Sequence, residues 1–153
     1  MNKDRGTVWL GVANLVENEH GEWLVVKKKY SGLKGLWSLP AGFVKEAETV
    51  EMAARREVLE ETGIECEVMG LIGFRSGVIH QKISDNMAIF YSRKTLKDQV
   101  ATPQELEIEE VRWIHPEQLA KDELASSMLH EMAKYRVEQF IHPVINGLDP
   151  GKQ

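Results

Sequence analysis

A chain of 153 residues with a formal net charge of −5 is long enough to bury one core of ordinary size. Its overall field does not favour nucleic acid or anionic membrane as a general partner. Hydrophobic residues at 42% and charged residues at 28% form a normal globular balance, which excludes a disordered or low-complexity chain.

The polar start, Met1 to Gly6, and the interruption of the next apolar run by Asn14 and Glu17 argue against a signal peptide or a membrane span. Thr7 to Val16 reads as a strand, and Asn18-Glu19-His20-Gly21 as the turn leading to a second strand, Glu22 to Lys29. Tyr30 to Leu36 reads as a loop, and Trp37-Ser38-Leu39-Pro40 as a short extended piece leading into Ala41-Gly42. Thr49 to Thr62 is the clearest helix, with Thr49 as N-cap and Gly63 as its terminator. Extended segments follow at Glu65 to Phe74, Asn86 to Leu96 and Glu107 to Ile114, and His115-Pro116 opens a short helix. Leu124, Met128, Met132, Tyr135 and Phe140 recur at helical spacing and predict a long helix from Leu124 to Ile141 with a buried stripe. The expected organisation is a single domain over 1–142, a mixed sheet sandwiched between helices in the α/β (α+β) class, with 143–153 as a flexible tail. Cys66 is the lone cysteine; it reads as a half-buried strand residue, and a cytoplasmic setting follows.

Chemistry is concentrated at the end of the Thr49–Thr62 segment. At about 100° per residue, Arg56, Glu57, Glu60 and Glu61 share one side of a helix, with Ala54, Val58 and Leu59 directed to the core. Three carboxylates at this spacing repel one another, and they crowd the helix end where the dipole disfavours negative charge. A hard divalent cation would reconcile both facts. A solvated acidic face would also explain them, and on the helix alone the two readings stand level.

The flanking residues separate them. From Gly42 to Ile64 the chain resembles the Nudix box, G-x5-E-x7-R-E-U-x-E-E-x-G-U, with Gly42, Glu48, Arg56, Glu57, Val58, Glu60, Glu61, Gly63 and Ile64 at its fixed positions. The resemblance implies the Nudix fold and hydrolysis of a diphosphate linkage with Mg²⁺, Mn²⁺ being a possible substitute. Glu57, Glu60 and Glu61 would bind the metal, joined by the Gly42 carbonyl. Arg56 would orient the glutamates with Glu48 as its ion-pair partner, and Gly63 would be structural. The base that deprotonates the water would be Glu57 or, second, Glu107, which is also a candidate late metal ligand. Glu107 reads otherwise as an exposed glutamate at a strand edge.

Substrate contacts must come from outside the box. Lys28 among Lys27-Lys28-Lys29, and Arg75, are the candidate phosphate contacts, although solvated lysines at a strand edge are the ordinary finding. Trp37, Phe43, Phe90 and Tyr91 could stack on a base, although strand aromatics are usually core. The proline that ADP-ribose hydrolases of the family usually carry beyond the box is replaced here by Ile79 and His80. The signatures of NADH-directed and coenzyme A-directed relatives are absent as well. A nucleoside di- or triphosphate, an oxidised nucleotide, a dinucleoside polyphosphate or a triphosphorylated RNA end remains as substrate. No membrane partner is expected, and the resemblance makes a homodimer plausible. The alternative is a non-catalytic module of the same fold that binds nucleotide or RNA. An isomerase of the fold would need a cysteine across the pocket, where Cys66 is poorly situated.

Overall fold

The computed structural model describes residues 4–96, 99–135 and 137–145. Strands β1 (Thr7–Glu17), β2 (Trp23–Lys28), β3 (Trp37–Ser38) and β4 (Ala41–Phe43) precede helix α1 (Val50–Thr62). Strands β5 (Cys66–Ile79), β6 (Ile83–Lys94) and β7 (Ile108–Ile114) follow, then the short helices α2 (Pro116–Leu119) and α3 (Ser127–Met132) and a 3₁₀ turn at Val137–Phe140. The main path of the sheet is β3-β2-β1-β6-β5, with β4 on β1 and β7 on β2. Strands β1 and β6 run parallel from Thr7↔Ile83 to Glu17↔Arg93, while β5 and β6 form a long antiparallel hairpin. No helix among the described residues is long and apolar enough to cross a membrane.

Strand β1 lies at the centre because both its faces are apolar. Ala13 and Leu15 join Trp23, Val25, Trp37, Leu39, Ile89 and Tyr91 against Leu119, Leu129 and Val137 of the C-terminal region. Val12 and Val16 point the other way, into clusters that include Ala53, Ala54 and Val58 of α1. Burying each such Val or Leu contributes about 1.5–3 kcal/mol. Asn14, the polar residue in this run, is fully buried and satisfied: its Nδ2 donates to the Ala54 carbonyl at 3.1 Å, and its Oδ1 accepts from Ser92 Oγ at 2.7 Å. It therefore ties β1 to both α1 and β6.

Helix α1 starts and stops where its caps require. Thr49 Oγ1 accepts from the Met52 N–H at 3.1 Å, and Gly63 takes the left-handed conformation at φ 72° while its N–H closes on the Leu59 carbonyl. Leu59 is 50% exposed, so the expectation that it faces the core is corrected: the helix buries small residues close to the sheet, and Leu59 lies beyond that contact. Cys66 is fully rather than half buried, and burial raises its thiol pKa.

The expected long C-terminal helix is replaced by a six-residue α3, a turn and the 3₁₀ turn. Leu124, Tyr135 and Phe140 are exposed, whereas Leu129 and Val137 supply the burial. Backbone pairing with distant strands prevents a continuous helix. Trp37 N–H donates to the Leu124 carbonyl and Ser126 N–H to the Trp37 carbonyl, holding this stretch extended beside β3. Downstream, His142 and Leu71 exchange both backbone hydrogen bonds at 2.8 Å, which draws the chain to the edge of β5. Val144 packs beside Phe90 and Val68, and the rest of the expected tail, residues 146–153, lies outside the described residues.

Candidate functional site

Strand β4 lays Gly42 directly over α1. A Cβ at Gly42 would stand 2.2 Å from Glu57 Oε1, closer than atoms can approach, so only glycine lets the Glu57 carboxylate sit there. One residue earlier, the Ala41 N–H donates to Glu61 Oε1 at 3.0 Å. Glu61 is 3% exposed, and among the described residues its Oε2 is buried with no hydrogen-bond partner. An acceptor in that state costs about 1–3 kcal/mol, more when charged. Burial pushes the Glu61 carboxyl up to about 7; the Lys28 ammonium and the Ala41 N–H oppose this, and the charges of Glu57 and Glu107 add to it. Burial likewise raises the Glu57 carboxyl, against the pull of Arg56.

Arg56 organises the opposite side. Its Nε and Nη2 donate to the two Glu48 oxygens at 2.6 and 3.0 Å, and Nη2 also donates to the Phe43 carbonyl at 3.0 Å. Nη1 donates to Glu57 Oε1 at 2.7 Å and to Glu60 Oε2 at 3.1 Å. One planar guanidinium thus joins the end of β4, the loop between β4 and α1, and two α1 carboxylates. This hydrogen-bonded pair holds the Glu48 carboxyl down at about 2 and raises the Arg56 pKa. Lys45, which the sequence did not single out, lies 3.8 Å from Glu60 Oε1. No group of three or more His, Cys, Asp or Glu side chains among the described residues is gathered tightly enough to hold an ion. Arg56 and Lys45 engage the oxygens of Glu57 and Glu60 in this conformation.

The candidate residues outside the box also converge here. Lys28 Nζ lies 3.5 Å from the Ala41 carbonyl, and Lys28 lines a cavity of about 200 Å³ with Gly11, Gly42, Phe43, Arg75 and Asp85. Arg75 Nη2 is paired with Asp85 at 3.1 Å. Glu107 is exposed, but its charge reaches Glu61. Trp37, Phe90 and Tyr91 are core, which removes them as stacking surfaces, while Phe43 is exposed. Trp9 was missed: in sequence it looks like any large apolar residue of a buried strand, yet it is 39% exposed. A larger depression, about 580 Å³ among Glu17, Asn18, Arg93 and Lys94 at the other end of β1 and β6, contains none of the α1 carboxylates.

A three-layer arrangement of curled mixed sheet and helices, with a glycine strand closing on a carboxylate helix, defines a class of protein rather than an isolated chain. The sequence model of the NUDIX domain matches residues 8–135, and the chain belongs to the Nudix family. It is 37% identical over 109 residues to Nudix hydrolase 8 of Arabidopsis thaliana, covering 69% of this chain and 29% of that protein. It is 29% identical over 106 residues to phosphatase NudJ of Shigella boydii, covering 69% and 68% of the two chains. The chain spans 29%, 42% and 46% of the length of the three Arabidopsis Nudix hydrolases it matches first. Among solved structures, a Nudix hydrolase from Nitrosomonas europaea superposes with a TM-score of 0.73 at 27% identity, covering 88% of this chain and 73% of that one. The Nudix domain of Shewanella oneidensis NrtR, solved with ADP ribose, matches in fold with a TM-score of 0.70 at 19% identity, covering 91% and 93%.

Proposed function

We propose that this chain hydrolyses the diphosphate linkage of a nucleoside phosphate or related nucleotide derivative, with Mg²⁺ held by Glu57, Glu60, Glu61 and the Gly42 carbonyl. The observation that carries this reading is the orphaned Oε2 of Glu61, a buried carboxylate oxygen beside a second carboxylate. Folding alone would favour an apolar or amide side chain there. A hard cation accepts such oxygens, so the donor set suits the metal in its chemistry, while in this conformation Arg56 and Lys45 engage the Glu57 and Glu60 oxygens. Bound there, a divalent ion would neutralise diphosphate charge and make an attacking water more acidic.

The remaining steps belong to the chain's own residues. Glu57, whose proton affinity is raised by burial, would accept the proton of the attacking water, and Glu107 is the second candidate base. Arg56 is a positioning residue: by gripping Glu48 and the Phe43 carbonyl it fixes the angle from which Glu57 and Glu60 present their oxygens. Lys28 and Arg75 line the adjoining cavity and would meet the substrate phosphates. The relatives agree with this chemistry in kind. A protein named ADP-ribose pyrophosphatase, from Methanocaldococcus jannaschii, is 40% identical over 67 residues, covering 44% of this chain and 39% of its own length.

The test is phosphate release from a panel of nucleoside di- and triphosphates, ADP-ribose, dinucleoside polyphosphates and triphosphorylated RNA, with Mg²⁺. Glu61→Gln and Glu60→Gln are expected to remain folded, with at least one losing about a thousandfold or more in rate. Undiminished turnover in both would remove the site. Saturable nucleotide binding with no phosphate release from any substrate would leave a binding module instead.

A further inference from the structure

Two large aromatic side chains next to this site are left in solvent. Trp9 is 39% and Phe43 60% exposed, and their rings meet edge to face with centroids 6.0 Å apart at 80°. Each braces the other from a neighbouring strand, for β1 and β4 pair with Gly11 opposite Phe43. Together with Val8, Leu10 and Val44 they line an apolar depression of about 330 Å³. Clustered exposed apolar surface of this kind marks a binding site more often than chance.

The register shows what lies beside the rings. Trp9, Asp85 and Gly77 form one row across β1, β6 and β5, and Gly11, Met87 and Arg75 form the next. Residues paired in this way share a face of the sheet. A Cβ at Gly77 would meet nothing within 4 Å, so the floor is open at that row, whereas one at Gly11 would stand 3.2 Å from the Gly42 carbonyl oxygen, which bounds the floor at the next. Phe43 borders both the apolar depression and the cavity that contains Lys28, Gly42 and Arg75. A trough results, aromatic at its outer end, lined along its course by Lys28 and by the Arg75–Asp85 pair, and closed at its inner end by the strand that touches Glu57.

We propose that the planar, base-bearing end of the substrate stacks on Trp9 and Phe43, with its phosphates passing Arg75 toward Gly42. The direction of the phosphates rests on the hydrolase reading above; the stacking platform does not. The substrate class that fits is a nucleoside diphosphate derivative. A sugar or alkyl diphosphate lacking a base would leave both rings bare. Stacking suits an edge-to-face pair because one ring offers its face to the base while the other fixes its orientation. The Arg75 guanidinium, set by Asp85, offers planar donors suited to phosphate oxygens.

Calorimetric titration with non-hydrolysable probes tests this: the α,β-methylene diphosphates of adenosine, guanosine, cytidine and uridine, against base-free methylenediphosphonate, all with Mg²⁺. At least one nucleotide should bind more tightly than methylenediphosphonate. Trp9→Ala should weaken that nucleotide about tenfold and leave methylenediphosphonate unchanged, with Trp9→Phe recovering most of the loss. Arg75→Ala should weaken both kinds of probe. The platform is overturned if no nucleotide exceeds methylenediphosphonate, if Trp9→Ala changes nothing, or if it weakens both equally. Unchanged methylenediphosphonate affinity in Arg75→Ala overturns the phosphate path. The expected pattern in a protein that releases no phosphate would remove the hydrolase reading and keep the platform. Hydrolysis with binding indifferent to the base would do the reverse.

Discussion

Gly42 and Glu57 lie so close that no Cβ fits between them. Any side chain at position 42 collides with the far end of a glutamate rather than with backbone, so the carboxylate can swing away at modest cost. Gly42→Ala should therefore keep stability within about 1 kcal/mol of wild type and lose about a hundredfold in rate, the usual effect of displacing a reacting group by an ångström. Urea unfolding and an initial-rate assay check the two halves; equal rates would show that the approach of Gly42 to Glu57 is immaterial. The box glutamates stood out by spacing and charge, but only the resemblance to the Nudix box separated a metal site from a solvated acidic face and paired Arg56 with Glu48. Trp9, Lys45 and Asp85 were not legible, since their relevance comes from the strand or helix residues that the fold brings beside them.

Helix α1 carries the site, and local chemistry accounts for its limits. Thr49→Ala removes the side-chain acceptor for the Met52 N–H and should cost about 1 kcal/mol in denaturant unfolding. Gly63→Ala forces a Cβ into the left-handed region and should cost about 1–2 kcal/mol. Losses near zero in both would mean that tertiary packing, not capping, sets the helix bounds. The C-terminal elements behave in the opposite way. Met128, Met132 and Tyr135 have helical spacing, yet the chain needed backbone partners in β3 and β5 at either end. Periodicity reports the faces of a helix that exists. It does not say how far that helix runs when its ends are engaged elsewhere. The β5–β6 hairpin extends further than its apolar pattern, to Ile79 and Ile83, for a related reason: ladder hydrogen bonds continue where the side chains have stopped alternating.

At the level of the whole molecule, two carboxylates pull stability in opposite directions with pH. The Glu48 carboxyl lies at about 2 when folded, below its ordinary 4.5. Between these values the unfolded chain binds more protons, so stability rises with pH through that window. The Glu61 carboxyl lies at about 7, above 4.5. From 4.5 to 7 the folded chain holds the extra proton, so stability falls with rising pH, by roughly 3 kcal/mol in total. Thermal unfolding of metal-free protein should therefore show the melting temperature declining from about pH 5 to 7. Glu61→Gln should reduce that decline to the part that the raised Glu57 carboxyl contributes, and added Mg²⁺ should offset it by holding the charged form. A flat profile in metal-free wild type would show that Glu61 titrates as an ordinary glutamate.

The amino-acid order by itself determined the α1 helix with both caps, the strand-rich mixed architecture and the identity of the carboxylate cluster. These follow from interactions among residues a few positions apart, where spacing and propensity are sufficient. The tertiary structure alone decided that Glu61 is buried with an oxygen lacking a partner, that Lys28 and Arg75 share a cavity with Gly42, and that Trp9 and Phe43 meet in the open. Each of these depends on which distant strands are neighbours and in what register, and register is settled by the combined burial of a whole sheet rather than by any local run of residues.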